Sequence, residues 1–351
     1  MVPYTQTLVI STMAIGISIT TVTSHWFIAW MGLEMSTLAI IPLMSQYHHP
    51  RAVEATTKYF LTQATAASTI LFATTTNALL TGQWDIQLMT HPIPTTMVVL
   101  ALSLKLGLAP FHIWLPEVLQ GLDLSTGLLL STWQKVAPVI LLVQIPAANQ
   151  ELLICLGALS TLIGGWGGLN QTQLRKILAY SSIAHLGWMV IIMQFVPAYT
   201  LLAFMLYISM TTAMFLSLKL YQSTDITSLA MSWAKAPLLA SMLPLLMLAL
   251  GGLPPTTGFL PKWLVLQELA KQGLPLTATF AALTALLSLY FYLRLSYAMT
   301  LTIAPNNTAG LTPWRTSPPK VSFPMPTFLL ATILLLPMAP ALLTLVLISN
   351  V

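Results

Sequence analysis

Six residues of this chain have the types and placement to move a proton: Glu34, Lys105, Lys135, Lys262, His112 and His185. Each stands inside an apolar run, in WMGLEM, LSLKLG, STWQKVAP, GFLPKW, APFHIWL and SIAHLGW respectively. Depth follows from a rise of about 1.5 Å per helical residue. Glu34 is nine residues in from His25, Lys105 eleven from Pro94, Lys135 twelve from Asp123, and Lys262 nine short of Lys271. Those counts place the four about 14–18 Å deep, and a hydrocarbon core is about 30 Å thick. The four therefore share the membrane midplane and are expected to form a row lying in its plane. An ionisable group there costs at least about 2.5–3.5 kcal/mol, so it marks function or is capped by a neighbouring acceptor.

Glu34 and Lys105 read as the natural ion pair. An amine held between burial and a carboxylate is pulled both ways, since burial favours the neutral form and the carboxylate the charged one. It changes its proton when the carboxylate moves, which is what a proton relay needs. His112 and His185 lie about 12–14 Å deep by the same count. A histidine ordinarily titrates near pH 6.5, which suits a proton carrier, although a hydrogen-bonded interior histidine fits the pattern as well.

The elements that must hold these groups are membrane helices. The chain has 351 residues, 56% hydrophobic and 6% charged, with a mean hydropathy of +0.83. Soluble domains carry about 25% charged residues. The fold class is all-α and polytopic. About eleven spans are expected, at 4–22, 25–46, 53–80, 95–121, 124–145, 150–170, 175–195, 198–222, 236–271, 275–300 and 325–348. The first carries no basic n-region and no small-residue cleavage site, so it reads as a retained span. Arg51, Lys58, Arg175, Lys176, Lys219, Lys235, Arg294, Arg315 and Lys320 then fall on one side, and Lys271 on the other. That asymmetry is what the positive-inside rule predicts, and it places the N-terminus on the basic side. The polar, proline-rich stretch 302–324 is expected to be a loop on that side.

The net charge of +5 comes from scattered residues with no basic run, so it points to topology and not to nucleic acid. One cysteine, Cys155, is too few for an iron–sulfur cluster or a zinc site, and it is expected to be inert packing. Glu117, Asp123 and Asp225 fall near span ends and are expected to be solvated. GGWGG at 164–168 lacks dinucleotide-loop spacing and is expected to let helices approach closely.

The run around Lys105 has a partner. Gly107–Glu117 reads GLAPFHIWLPE and Gly252–Lys262 reads GLPPTTGFLPK, with Gly, Leu, Pro, Leu and Pro in register without a gap. Proline removes a backbone donor and clashes with the preceding turn, so a break is expected in the spans 95–121 and 236–271. Paired Gly/Pro-interrupted spans in two inverted halves are a pointer to a transport site.

Together LKLGLAPFHIWLPE, STWQKVAP, LRKILAYSSIAHLGW and LGGLPPTTGFLPKW resemble the antiporter-like membrane subunits of respiratory complex I, over essentially the whole chain. The resemblance implies one membrane domain, 1–351, of two inverted five-helix repeats, each with a broken helix. It places the family's early acid on Glu34, its broken-helix lysine on Lys105, its central lysine on Lys135 and its terminal lysine on Lys262. It implies proton translocation coupled to electron transfer from NADH to ubiquinone, in the mitochondrial inner membrane, with the basic side in the matrix. NADH, FMN, iron–sulfur clusters and ubiquinone would be handled by other subunits, leaving no cofactor in this chain. The partners implied are membrane-arm subunits and phospholipids, with no nucleic acid. Two other readings stay open: a free-standing cation/proton antiporter of the related family, and a scaffold that only tethers pumping neighbours, against which the midplane charges alone argue.

Overall fold

A computed structural model describes residues 3–46, 48–145, 149–234, 237–301 and 324–341, together with Thr344. Residues 302–323, which make up nearly all of the stretch expected to be a loop and include Arg315 and Lys320, lie outside the described residues, as do Lys235 and most of the chain beyond 341. The described residues form helices and no strand; isolated antiparallel bridges join His25 to Asp85 and Gln173 to Asp225. The chain divides into two compact units, residues 1–160 and 161–351.

The first unit contains α1 (Pro3–Val22), α2 (Trp26–Met44), α3 (Pro50–Thr81), α4 (Pro92–Leu106), α5 (Trp114–Gly121), α6 (Leu124–Ser131) and α7 (Trp133–Gln144). Proline opens α3 and α4 at a position where its missing N–H costs nothing. The Nδ1 atoms of His25 and His49 cap α2 and α3 by accepting from Phe27 N and Arg51 N, each at 3.2 Å. α1 and α2 meet at glycine. A Cβ on Gly16 would stand 2.8 Å from Gly32 O, and one on Gly32 would stand 2.7 Å from Gly16 O. Small residues give membrane helices this close approach, because no hydrophobic drive separates helix from lipid.

α8 (Gln150–Gly168) runs through the division between the units. The second unit continues with α9 (Leu174–Ile192), α10 (Pro197–Tyr221), α11 (Ile226–Ala230), a 3₁₀ turn at Met231–Ala234, α12 (Pro237–Gly251), α13 (Phe259–Lys271), α14 (Pro275–Thr300) and α15 (Pro324–Leu334). The GGWGG run packs closely, as its composition suggests. A Cβ on Gly164 would lie 2.6 Å from Ala184 N, and one on Gly167 would lie 2.3 Å from the Tyr180 ring.

Six described helices or helix pairs are long and apolar enough to cross a membrane: 4–22, 26–44, 124–144, 150–168, 197–221 and 275–300. α4, α12 and α15 are apolar but shorter, at 15, 15 and 11 residues. Both expected breaks are present, between α4 and α5 and between α12 and α13. A third interruption has no counterpart among the expected spans. The run 124–145 divides at Thr132, whose φ of −112° and ψ of −68° leave the regular helix. Thr132 Oγ1 donates to Leu128 O at 2.7 Å, competing with the helical ladder. Pro138, six residues on, withdraws the amide that Gln134 O would accept.

Cys155 departs from expectation: it is exposed. Leu153, Leu156 and Ser160 give α8 its buried stripe, and Cys155 falls on the opposite face.

Candidate functional site

The first break is built by a glycine. Gly107 has φ +76°, a left-handed conformation that glycine adopts without steric cost. Its N–H donates to Leu104 O at 3.1 Å, and Leu108 N–H donates to Ser103 O at 2.9 Å. This is a Schellman ending, which satisfies carbonyls that a stopped helix leaves orphaned. Trp114, opening α5, reaches back with Nε1 to Leu104 O at 3.0 Å. The two half-helices are thus stitched across the seven residues between them.

Lys105 stands in the last turn of α4, two residues before that glycine, and is buried. Its Nζ has no hydrogen-bond partner. It faces a cavity with about 10 Å³ of water-accessible space, room for about one water. Lys135 of α7, also buried, lines the same cavity. The wall is completed by Ser36 and Thr37 from α2, Tyr59 and Gln63 from α3, Trp114 from α5, and Gln134 from α7, with apolar Leu33, Leu130 and Pro138. Gln134 Nε2 donates to Ser36 O at 3.0 Å, tying the interrupted span to α2. Two amines from two irregular helices therefore share one polar chamber inside the first unit.

Glu34 is half-buried on α2, one turn before Thr37. Thr37 Oγ1 bonds its Oε2 at 3.1 Å. The expected ion pair with Lys105 is not formed. The ion pairs within 4.0 Å among the described residues are Lys58–Glu54, Lys58–Glu117 and Lys271–Glu268. The reason is local: Thr37 holds the carboxylate, while the Lys105 amine faces the chamber. Glu34 still lies within electrostatic reach of both Lys105 and Tyr59. His112 lies in the break itself, half-buried, with Nδ1 3.3 Å from Pro110 O, and it does not line the chamber.

The second break repeats the backbone of the first. Gly252 has φ +78°; its N–H donates to Ala249 O at 3.0 Å, and Leu253 N–H donates to Leu248 O at 3.2 Å. Lys262, in the first turn of α13, folds back and donates to Gly251 O at 2.7 Å. Its stem lies over Gly252, where a Cβ would meet Cδ at 2.8 Å and Nζ at 2.9 Å. His185 is buried on α9 of the same unit, with its ring 5.8 Å from that of Tyr207.

Two family models cover this chain nearly end to end. The one described as NADH:quinone oxidoreductase/Mrp antiporter, TM, matches residues 23–288, and the one described as NADH dehydrogenase subunit 2 C-terminus matches 289–343. NADH-ubiquinone oxidoreductase chain 2 of Tetraodon nigroviridis is 66% identical over 98% of this chain and 99% of its own. The chain belongs to the NADH-ubiquinone oxidoreductase chain 2 family. Among solved structures, a chain of respiratory complex I from Thermus thermophilus superimposes with a TM-score of 0.79 at 28% identity, covering 98% of this chain and 78% of that one. A chain of the Mrp complex from Dietzia gives a TM-score of 0.82 at 16% identity over 96% of this chain and 75% of that one, a likeness of fold alone.

Membership gives the two breaks a setting, and the geometry adds residues that the sequence alone does not single out. Glu268 of α13 is buried and held by Gln272 Nε2 at 3.0 Å and Lys271 Nζ at 3.4 Å, although its place near a span end suggests solvent. Tyr59 and Gln63 line the lysine chamber from one face of α3. Their i, i+4 spacing in a threonine-rich helix is the signal that could have found them. Among the described residues no three His, Cys, Asp or Glu gather in one place, and a single cysteine does not supply the thiolates of an iron–sulfur cluster.

Proposed function

We propose that this chain is a proton-translocating membrane subunit of NADH:ubiquinone oxidoreductase, carrying no redox centre of its own. NADH, FMN, iron–sulfur clusters and ubiquinone serve the complex through other subunits. This chain contributes proton movement in the mitochondrial inner membrane, against other membrane-arm subunits and phospholipids. It acts as one antiporter-like domain of two inverted repeats, with about eleven crossings and its N-terminus in the matrix.

The observation that carries this reading is the shared chamber. Two buried lysines line it, and one of them, Lys105, stands at a helix break without a partner. Irregular backbone at membrane depth is tolerated against protein or water, and a chamber of this kind supplies the setting. A change of charge in a neighbouring subunit alters the field of Glu34. Lys105 then gives its proton toward Lys135, with a water in the chamber as the bridge. Lys262 releases a proton toward the intermembrane side as its hold on Gly251 O is broken. The scaffold reading leaves an unpartnered amine at the midplane without a purpose.

The test is Lys105→Ala in the assembled complex, reconstituted in sealed vesicles. Protons moved per two electrons are expected to fall while electron transfer from NADH continues with an uncoupler present. A wild-type ratio in that variant would overturn the reading.

A further inference from the structure

The second unit holds a buried polar run around His185 whose other members are not among the six expected residues. α9 carries Ser181, Ser182 and His185, all buried. Ser181 and His185 are four residues apart and so share one face of the helix. Tyr207 of α10 and Tyr292 of α14 are buried in the same unit. The His185 and Tyr207 rings lie 5.8 Å apart at 45°. Ser182 and the Tyr207 hydroxyl share a side-chain hydrogen bond. Ser181 lies within reach of the Tyr292 hydroxyl. No hydrogen bond of good geometry forms there, and Tyr292 Oη is left without a partner.

The other side of Tyr292 faces the second break. A Cβ on Gly251 would lie 3.7 Å from Tyr292 Cδ2 and 3.8 Å from its Cβ. Gly251 O is the carbonyl that Lys262 Nζ bonds at 2.7 Å. Tyr292 thus meets Gly251, whose carbonyl holds Lys262, with its Cβ and ring edge, and meets Ser181 with its hydroxyl. A plain phenyl ring suits this part of α14. Phe291, the preceding residue, is fully buried, and its ring centroid is 4.4 Å from that of Tyr292. Packing alone therefore does not explain a hydroxyl, and a buried hydroxyl without a partner is disfavoured.

We propose that the Tyr292 hydroxyl is a relay group that carries protons between Lys262 and the Ser181, Ser182, Tyr207 and His185 cluster. In each transfer the oxygen takes a proton on a lone pair as its own proton leaves toward the next acceptor. Only O–H and N–H bonds change, and the hydroxyl ends neutral. The inference rests on the proton-translocating reading above and assigns that path, within the second unit, to residues outside the lysine set.

The experiment compares Tyr292→Phe with Lys262→Met in the assembled complex in sealed vesicles, reading protons per two electrons and the uncoupled electron-transfer rate. Tyr292→Phe keeps the ring, so the uncoupled rate is expected to stay at wild type, while the proton ratio falls as far as in Lys262→Met. Ser181→Ala removes one small hydroxyl and is expected to lower the ratio in the same direction. If Tyr292→Phe fails to assemble, Ser181→Ala decides alone. A full ratio in the hydroxyl variants beside a reduced one in Lys262→Met overturns the role of Tyr292 and leaves the translocating reading standing. A full ratio in Lys262→Met and Lys105→Ala as well overturns both.

Discussion

The two helix breaks use one backbone device and present their lysines in opposite ways. Both end a half-helix on a left-handed glycine with the same pair of Schellman bonds. Lys105 comes two residues before its glycine, at the end of the incoming half-helix, and looks into a chamber. Lys262 comes ten residues after its glycine, in the first turn of the outgoing half-helix, and looks back onto a carbonyl. A helix C-terminus offers unpaired carbonyls to whatever points back at it. A side chain arriving from beyond the break is therefore capped, and one leaving before the break is not. The break sets the backbone, and the side on which the lysine sits decides whether it is held or left exposed to the field of its neighbours.

The largest expected effect comes from adding a methyl group at the second break. In Gly252→Ala the new Cβ meets Lys262 Cδ, Cε and Nζ within 2.9 Å, and alanine must also adopt a positive φ. The left-handed conformation costs a non-glycine residue about 1–2 kcal/mol. The lysine, as the flexible partner, is displaced from Gly251 O. Proton pumping is expected to be lost, with less complex assembled. Gly107→Ala bears the same backbone cost, but its Cβ meets Leu115 Cδ1 at 2.9 Å, the end of an apolar side chain that can move. It is expected to assemble better than Gly252→Ala and to keep part of its pumping. Native-gel yields and proton ratios for the two variants check the order. A reversed order would mean that Lys262 is not held where the geometry has it.

A smaller effect separates the two lysines as structural groups. Lys262→Met leaves Gly251 O without its donor, and a buried group left unsatisfied costs about 1–3 kcal/mol. Lys105→Met replaces an amine that has no partner with an apolar chain of similar length. Thermal inactivation of the complex is expected to be earlier than wild type in Lys262→Met and unchanged or later in Lys105→Met, although both lose pumping. An equal loss of stability in the two would show that Lys105 is capped as well.

Much of this comparison is legible in the sequence. The composition determines the class, and the Gly-Leu-x-Pro register locates both breaks to within a few residues, because glycine and proline act through the local backbone. The depth count groups Lys105 and Lys135 by level alone; that they line one chamber is a matter of which helix faces meet, which the count does not give. The pairing of Glu34 is less accessible. Sequence offers the nearest opposite charge, whereas a threonine one turn away on the same helix takes the carboxylate. The break at Thr132 is also hidden, since its causes are a hydroxyl competing for Leu128 O and a proline six residues away, neither of which interrupts an apolar run. The exposure of Cys155 is hidden for a related reason: hydropathy gives the span, but not which face of α8 its neighbours cover.

The smallest expected effect concerns register. In the aligned repeats Glu117 occupies the place that Lys262 occupies. The structure uses it differently, because its carboxylate sits exposed at 2.8 Å from Lys58 Nζ, and Lys58 also bonds Glu54 at 2.7 Å. Exposed pairs of this kind contribute little, because water competes for both partners and the side chains lose entropy on pairing. Glu117→Gln is expected to leave both assembly and the proton ratio at wild-type values, which a titration of pumping against added salt would check in the same vesicles. If the ratio falls instead, the two breaks are functionally equivalent at this position. The contrast between Lys105 and Lys262 would then have to extend to a carboxylate whose charge is what the first break uses.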